Sequence, residues 1–141
     1  MSLENNSVNE NSLDSTQDKC DLNKLFDLCK RSAKLDGWVA KTGMSGYCKE
    51  LSVEVKEILD ALEKKDYENL KEELGDAFMD LFEACILAES EGFFSVKDVF
   101  QSAISKIERR RPYIYGDKKI SPEDSVKHWL IAKEKEKKSK K

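Results

Sequence analysis

Histidine is almost missing from this sequence: His128 is the only one in 141 residues. One imidazole excludes a histidine metal cluster and the paired Glu-x-x-His motifs of di-iron bundles. His128 therefore reads as a structural or surface residue. Proline is nearly as scarce, with two residues, and glycine numbers six. So few breakers suit helices better than a many-turned sheet protein. The four cysteines, Cys20, Cys29, Cys48 and Cys85, fall at spacings that match no zinc pattern. They read as reduced thiols, which implies a cytoplasmic protein. No apolar run is long enough to span a membrane. The N-terminus lacks the apolar core of a signal peptide and the Arg-rich character of a transit sequence. Positive charge is not in excess either: 25 Lys and Arg face 28 Asp and Glu, a net −3. Nucleic-acid binding by bulk electrostatics is not expected.

What is present is charge and apolar residues in equal measure, 38% and 39%. That balance, at this length, predicts one domain of amphipathic helices. Residues 1–19, rich in Asn, Ser, Glu and Asp, read as a disordered polar tail. A first helix is predicted over Leu22 to Leu35, with Asp21 as its cap. Gly37, Gly43 and Gly46 around Trp38 predict a loop from Asp36 to Gly46. Two helices follow, folded about Lys65, with Asp66 capping the second. Gly75 lies inside that second helix, either for close backbone approach or as a tolerated defect. Ser95 and Asp98 have capping-box spacing, and Val96, Val99, Phe100, Ala103, Ile104 and Ile107 then form a stripe that predicts core. Ser121-Pro122-Glu123-Asp124 starts the last helix. Its run is expected to dissolve from Lys133, leaving a helical domain over 20–134 and a charged tail over 135–141. The fold class is all-α, about five helices with a four-helix-type core.

The chemistry concentrates in the hairpin. Glu57 and Glu73 lie equally far from Lys65, as do Glu54 and Asp76, and Glu50 and Asp80. In an antiparallel hairpin with a short turn, such pairs stand at the same level. At about 100° per residue, Leu51, Val55, Ile58, Leu59 and Leu62 form one apolar stripe. Leu70, Leu74, Ala77, Phe78, Leu81 and Cys85 form the other. If these stripes face each other, both acidic flanks emerge on the same side and build one carboxylate wall. Like charges at close range repel and raise one another's pKa. A hard divalent cation such as Mg²⁺, which takes oxygen ligands and bridges to phosphates, relieves that repulsion. The alternative for each acid taken singly is a solvated helix flank.

Glu54-x-x-Glu57, followed after fifteen residues by Glu73-Leu-Gly-Asp76, resembles the ExxE…ExxD signature of MazG-type nucleotide pyrophosphohydrolases, members of the all-α NTP pyrophosphatases. The similarity continues through Ala88-Glu-Ser-Glu-Gly-Phe, through Ile107-Glu-Arg-Arg-Arg-Pro-Tyr-Ile-Tyr-Gly-Asp117, and into Trp129 and Lys133. It covers roughly residues 22 to 135 in order.

The resemblance implies hydrolysis of a nucleoside triphosphate to the monophosphate and pyrophosphate. It implies Mg²⁺ (or Mn²⁺) on Glu54, Glu57, Glu73 and Asp76; Glu50 and Asp80 share the geometry of the wall but not the motif, and stand as second-tier ligands. It also implies a homodimer or dimer of dimers with the nucleotide near the subunit interface. Lys106, Arg109, Arg110 and Arg111 end a helix, where they complement its dipole or meet phosphate. In the family, Lys106 and Arg109 match the phosphate contacts. Trp38 covers a core edge or stacks on the base; in the family the matching loop helps form the nucleotide pocket. The family's Cys-Pro-Trp-Asp is here Asp36-Gly37-Trp38-Val39, a departure that concerns base selectivity more than catalysis. Rival readings are a relative specific for dUTP, dCTP or damaged nucleotides, and a non-catalytic interaction module on the same scaffold. The intact four-acid set speaks against the module.

Overall fold

The computed structural model describes residues 16–140. Among them the chain is all-α, with no strand. Its helices are α1 (Thr16–Leu35), α2 (Gly37–Lys64), α3 (Tyr67–Ser90), α4 (Val96–Arg110) and α5 (Pro122–Ser139), with a 3₁₀ turn at Pro112–Tyr115. No helix among the described residues is long and apolar enough to cross a membrane. The polar tail expected at the N-terminus lies outside the described residues as far as Ser15. The chain divides into two compact units between Phe93 and Phe94.

In the first unit, α1 starts at Thr16, so Asp21 sits within the helix instead of capping it. Nothing from Thr16 to Leu35 is Gly or Pro, and helix extends through such a run without penalty. The loop expected from Asp36 to Gly46 is helical instead. Asp36 caps α2, its carboxylate accepting from the Trp38 N–H at 2.9 Å. The helix breaks only at Gly43, whose φ of 68° and ψ of 175° lie in a region essentially closed to other residues. Trp38, in the first turn, is 70% exposed, so it covers no core edge within the chain.

Lys65 closes α2 in the left-handed conformation, φ 55°, and the Asp66 carboxylate accepts from the Asn69 N–H at 3.1 Å. That two-residue connection returns α3 antiparallel along α2. The predicted facing stripes are buried only in part: Leu51, Ile58, Leu70, Ala77 and Cys85 are half-buried. Val55, Leu59, Leu62, Leu74, Phe78 and Leu81 are exposed, whereas Ala61, Phe82, Leu87 and Ala88 are buried. The reason is α1. It lies along α3, with Phe26 meeting the Phe82 ring edge-on at 5.5 Å between centroids, and Cys29 buried. A helix with two neighbours turns inward the face that serves both. Nothing lies within 4 Å of a Cβ built on Gly75, so no close backbone approach requires that glycine.

In the second unit, α4 opens with the predicted capping box. Asp98 N–H donates to Ser95 Oγ at 3.0 Å, and Ser95 N–H to the Asp98 carboxylate at 2.9 Å. Its apolar stripe is not core: Val96 is buried, but Phe100, Ile104 and Ile107 are exposed. α5 starts as predicted, Ser121 Oγ accepting from the Asp124 N–H at 3.2 Å. It stays helical to Ser139 rather than fraying from Lys133. Lys and Glu are good helix formers, and Glu136 ties the segment back to Arg109 and Arg110 of α4. His128 has the structural setting expected of it, with Tyr113's ring at 5.3 Å.

Candidate functional site

Glu54 and Glu57 lie one turn apart on α2, and Glu73 comes to meet them from α3. Each offers a carboxylate oxygen, and these oxygens lie within 4.8 Å of one another. They are the only such cluster of potential metal ligands among the described residues. Glu54 and Glu73 are half-buried and Glu57 exposed, so the cluster has an open side. Beside it, toward the turn, lies a cavity of about 220 Å³ lined by Glu57, Asp60, Ala61, Lys64, Asp66, Asn69 and Glu73.

The electrostatics register this crowding. The hydrogen bond to Glu57, followed by burial and the Glu54 hydrogen bond, pushes Glu73 up to about 7. Burial raises Glu54, with Glu57, Asp76 and Asp80 adding to it against the Glu73 hydrogen bond. Glu54 Oε2 is buried with no hydrogen-bond partner. Asp76 thus acts on Glu54 through space but stands outside the converging triple. Asp80, raised by burial and by Glu50 and Asp76, has a buried and unpartnered Oδ2. Lys106 and Arg109 belong to α4 of the second unit.

One acidic residue escaped the sequence reading. Glu83 is 6% exposed, with Oε2 unpartnered. Burial pushes it up to about 6, against a hydrogen bond to Cys29; Asp36 and Asp80 raise it further. The signal was its spacing: 73, 76, 80 and 83 continue a single helical row. Cys29 itself is pushed up to about 11, mainly by burial, so this thiol is inert at neutral pH.

Among the described residues, helices throughout and converging carboxylates from two antiparallel helices define the class: a helical protein with an acidic hairpin. Residues 43–115 match the MazG nucleotide pyrophosphohydrolase domain, and the chain belongs to that family. It is 35% identical over 88 residues to the nucleoside triphosphate pyrophosphohydrolase/pyrophosphatase MazG of Thermotoga maritima, covering 62% of this chain and 33% of the relative. It is 32% identical over 102 residues to the nucleoside triphosphate pyrophosphohydrolase of Mycobacterium tuberculosis, covering 71% and 31%. The chain thus spans no more than about a third of these curated relatives. The crystal structure of a mazG-related protein from Thermotoga maritima superposes with a TM-score of 0.74 at 28% identity, covering 79% of this chain and 98% of that one.

Proposed function

We propose that this chain hydrolyses nucleoside triphosphates to the monophosphate and pyrophosphate, using Mg²⁺ (or Mn²⁺) held by Glu54, Glu57, Glu73 and Asp76. The observation that carries this reading is the convergence of three carboxylate oxygens within 4.8 Å. An all-oxygen donor set fits a hard divalent ion rather than a soft one. A buried carboxylate oxygen without a donor, as on Glu54, is tolerable only opposite a cation or a proton. Family membership and the relatives' printed activities support the same reaction.

A metal bound there supplies polarisation of the phosphate oxygens and acidifies a coordinated water. The chain's own part is to place the polyphosphate on the open side of the wall and to orient the attacking water through one of the carboxylates as general base. Lys106 and Arg109 are the candidate phosphate contacts by their match to the family's basic motif, and the exposed indole of Trp38 offers a stacking face to a base. The wall offers no activated Ser or Cys nucleophile, so water is the attacking group and no covalent enzyme intermediate is indicated. The apolar rows left open on α2, α3 and α4 support a homodimer or dimer of dimers. The free thiols Cys29, Cys48 and Cys85 suit a cytoplasmic setting.

The test is pyrophosphate release from a panel of canonical and modified nucleoside triphosphates, in Mg²⁺ or EDTA, with Glu54→Gln and Asp76→Asn alongside. Metal-dependent release that both substitutions reduce by about 10²-fold or more is expected. No release with any nucleotide, from folded protein, would overturn the reading in favour of an interaction module.

A further inference from the structure

Past Asp76, the acidic row on α3 runs away from the turn through Asp80 to Glu83. Glu83 is 6% exposed, the only buried charged side chain among the described residues. Residues from three places gather round it. The Cys29 thiol on α1 donates to it, and Asp36, at the α1–α2 junction, acts on it through space. Tyr47 on α2 stands as far before Lys65 as Glu83 stands after it. Burial, then the charges of Glu83, Asp80 and Asp36, raise the Tyr47 phenol. Even so, Glu83 Oε2 has no hydrogen-bond partner, and neither has Asp80 Oδ2, one turn nearer Glu73. Burying a carboxylate oxygen without a donor is costly unless a group from outside the chain supplies one.

A metal ion does not fit that need. Among the described residues only Glu54, Glu57 and Glu73 bring three ligand atoms within 4.8 Å of one another. Asp36, Asp80 and Glu83 form no such group, and acceptors that do not converge suit an organic N–H donor. Pushed up to about 6 by burial, Glu83 is mostly ionised at neutral pH and accepts on both oxygens. Its place along the helix suits a nucleotide. Glu83 lies seven residues beyond Asp76, about 10 Å of helix rise, and a base stands at a comparable remove from its α-phosphate. Toward the turn, the wall meets Lys64 and Asn69, which carry N–H donors of their own. Away from the turn it meets acceptors in excess. Asp36 also holds the turn of α2 that carries the exposed indole of Trp38.

We propose that Glu83 reads the base of the substrate nucleotide: its unpartnered oxygen accepts from an exocyclic amino group, favouring cytosine and adenine over uracil and hypoxanthine, which carry a carbonyl oxygen there. Asp80 Oδ2 offers a second acceptor to the same edge. A carbonyl oxygen brought against the buried carboxylate is repelled and leaves both groups unpaired, which is how a polar site discriminates most strongly. Entry is from the α1–α2 junction, where the break at Gly43 separates the Trp38 turn from the rest of α2. Glu83 touches the base and not the reacting phosphate, so it sets specificity without taking part in the chemistry. This assignment rests on the nucleotide substrate proposed above.

Calorimetry on the full chain in Mg²⁺ tests it, with the monophosphates of cytidine, uridine, adenosine and inosine as ligands. These carry no anhydride to hydrolyse, so binding is read apart from turnover. In at least one pair, cytidine against uridine or adenosine against inosine, the wild type is expected to bind the amino member about 10- to 100-fold more tightly. Glu83→Gln keeps the size of the side chain and adds a donor, so it should erase or invert that preference, with melting curves verifying the fold. A residue that only packs would change all four ligands alike. That result, or a preference that survives Glu83→Gln in folded protein, overturns the proposal. So does a wild type that binds both members of each pair equally, or none of the four at millimolar concentration. Triphosphate turnover separates the two readings. Metal-dependent release with equal kcat/KM for both members of each pair would leave the reaction standing and remove the base assignment. No release from any triphosphate, alongside monophosphate selectivity that Glu83→Gln erases, would remove the reaction and leave the base site.

Discussion

Three carboxyl groups meet at Glu73, and protonation decides how easily the folded chain tolerates them. The hydrogen bond to Glu57, with burial and Glu54, raises Glu73 from 4.5 to about 7, so the folded chain keeps a proton that the unfolded chain has already released between those values. Its contribution to stability is complete below about 4.5, declines as pH rises, and is lost above about 7. Glu83, raised to about 6 by burial, acts in the same direction. In EDTA, the melting temperature is therefore expected to be higher at pH 5.5 than at pH 8, with Glu73→Gln shrinking the difference. A melting temperature that climbs over that interval would contradict the described geometry. Mg²⁺ should act oppositely, because its ligands must be deprotonated. The increment in melting temperature on adding Mg²⁺ should be larger at pH 8 than at pH 5.5. The juxtaposition of Glu54, Glu57 and Glu73 was legible from equal distances about Lys65, because a tight turn fixes the level of each residue in a hairpin. Glu83's place in the row was legible from its spacing, but its burial was not, because that depends on α1, which brings Cys29 against it from far away in sequence.

Among the elements, local chemistry explains individual caps and breaks better than it explains how far each helix runs. Gly43 breaks α2 with φ 68° and ψ 175°, a conformation that any side chain strains. Gly43→Ala is expected to cost about 1–3 kcal/mol in urea unfolding. Gly75 is the opposite case. It sits in mid-helix with nothing near a prospective Cβ, so Gly75→Ala should raise stability by about 1 kcal/mol. Loss of stability at Gly75→Ala would reveal a contact made outside this chain. The caps at Asp66, Ser95 and Ser121 were readable because a cap is a relation among four consecutive residues. The stretch around Trp38 was misread because its glycines look like a loop, while the carboxylate of Asp36 holds the first turn in helix. α5 was expected to fray because its Lys and Glu run looks solvated; its link to Arg109 and Arg110 lies 26 to 27 residues away.

For the whole molecule, the unspent apolar surface is the main consequence of how the helices are turned. Leu59 is 60% exposed and Phe78 50%, in rows that amphipathic periodicity assigns to an interior. Exposed apolar rows of this kind mark association surfaces. The chain of 16.2 kDa is expected to sediment as a dimer or tetramer, and Leu59→Glu with Phe78→Glu should shift it toward monomer. A wild type that sediments as a monomer at micromolar concentration would remove that expectation. The sequence by itself determined the all-α class, the turn at Lys65 and the level at which its acids stand, since each depends on residues close along the chain. Only the tertiary structure decided which face of each helix is buried, that Glu83 joins the acidic row in the interior, and that Glu136 pairs with Arg109 and Arg110. Periodicity says which residues share a face; burial and ion pairing depend on the neighbouring helix that covers it.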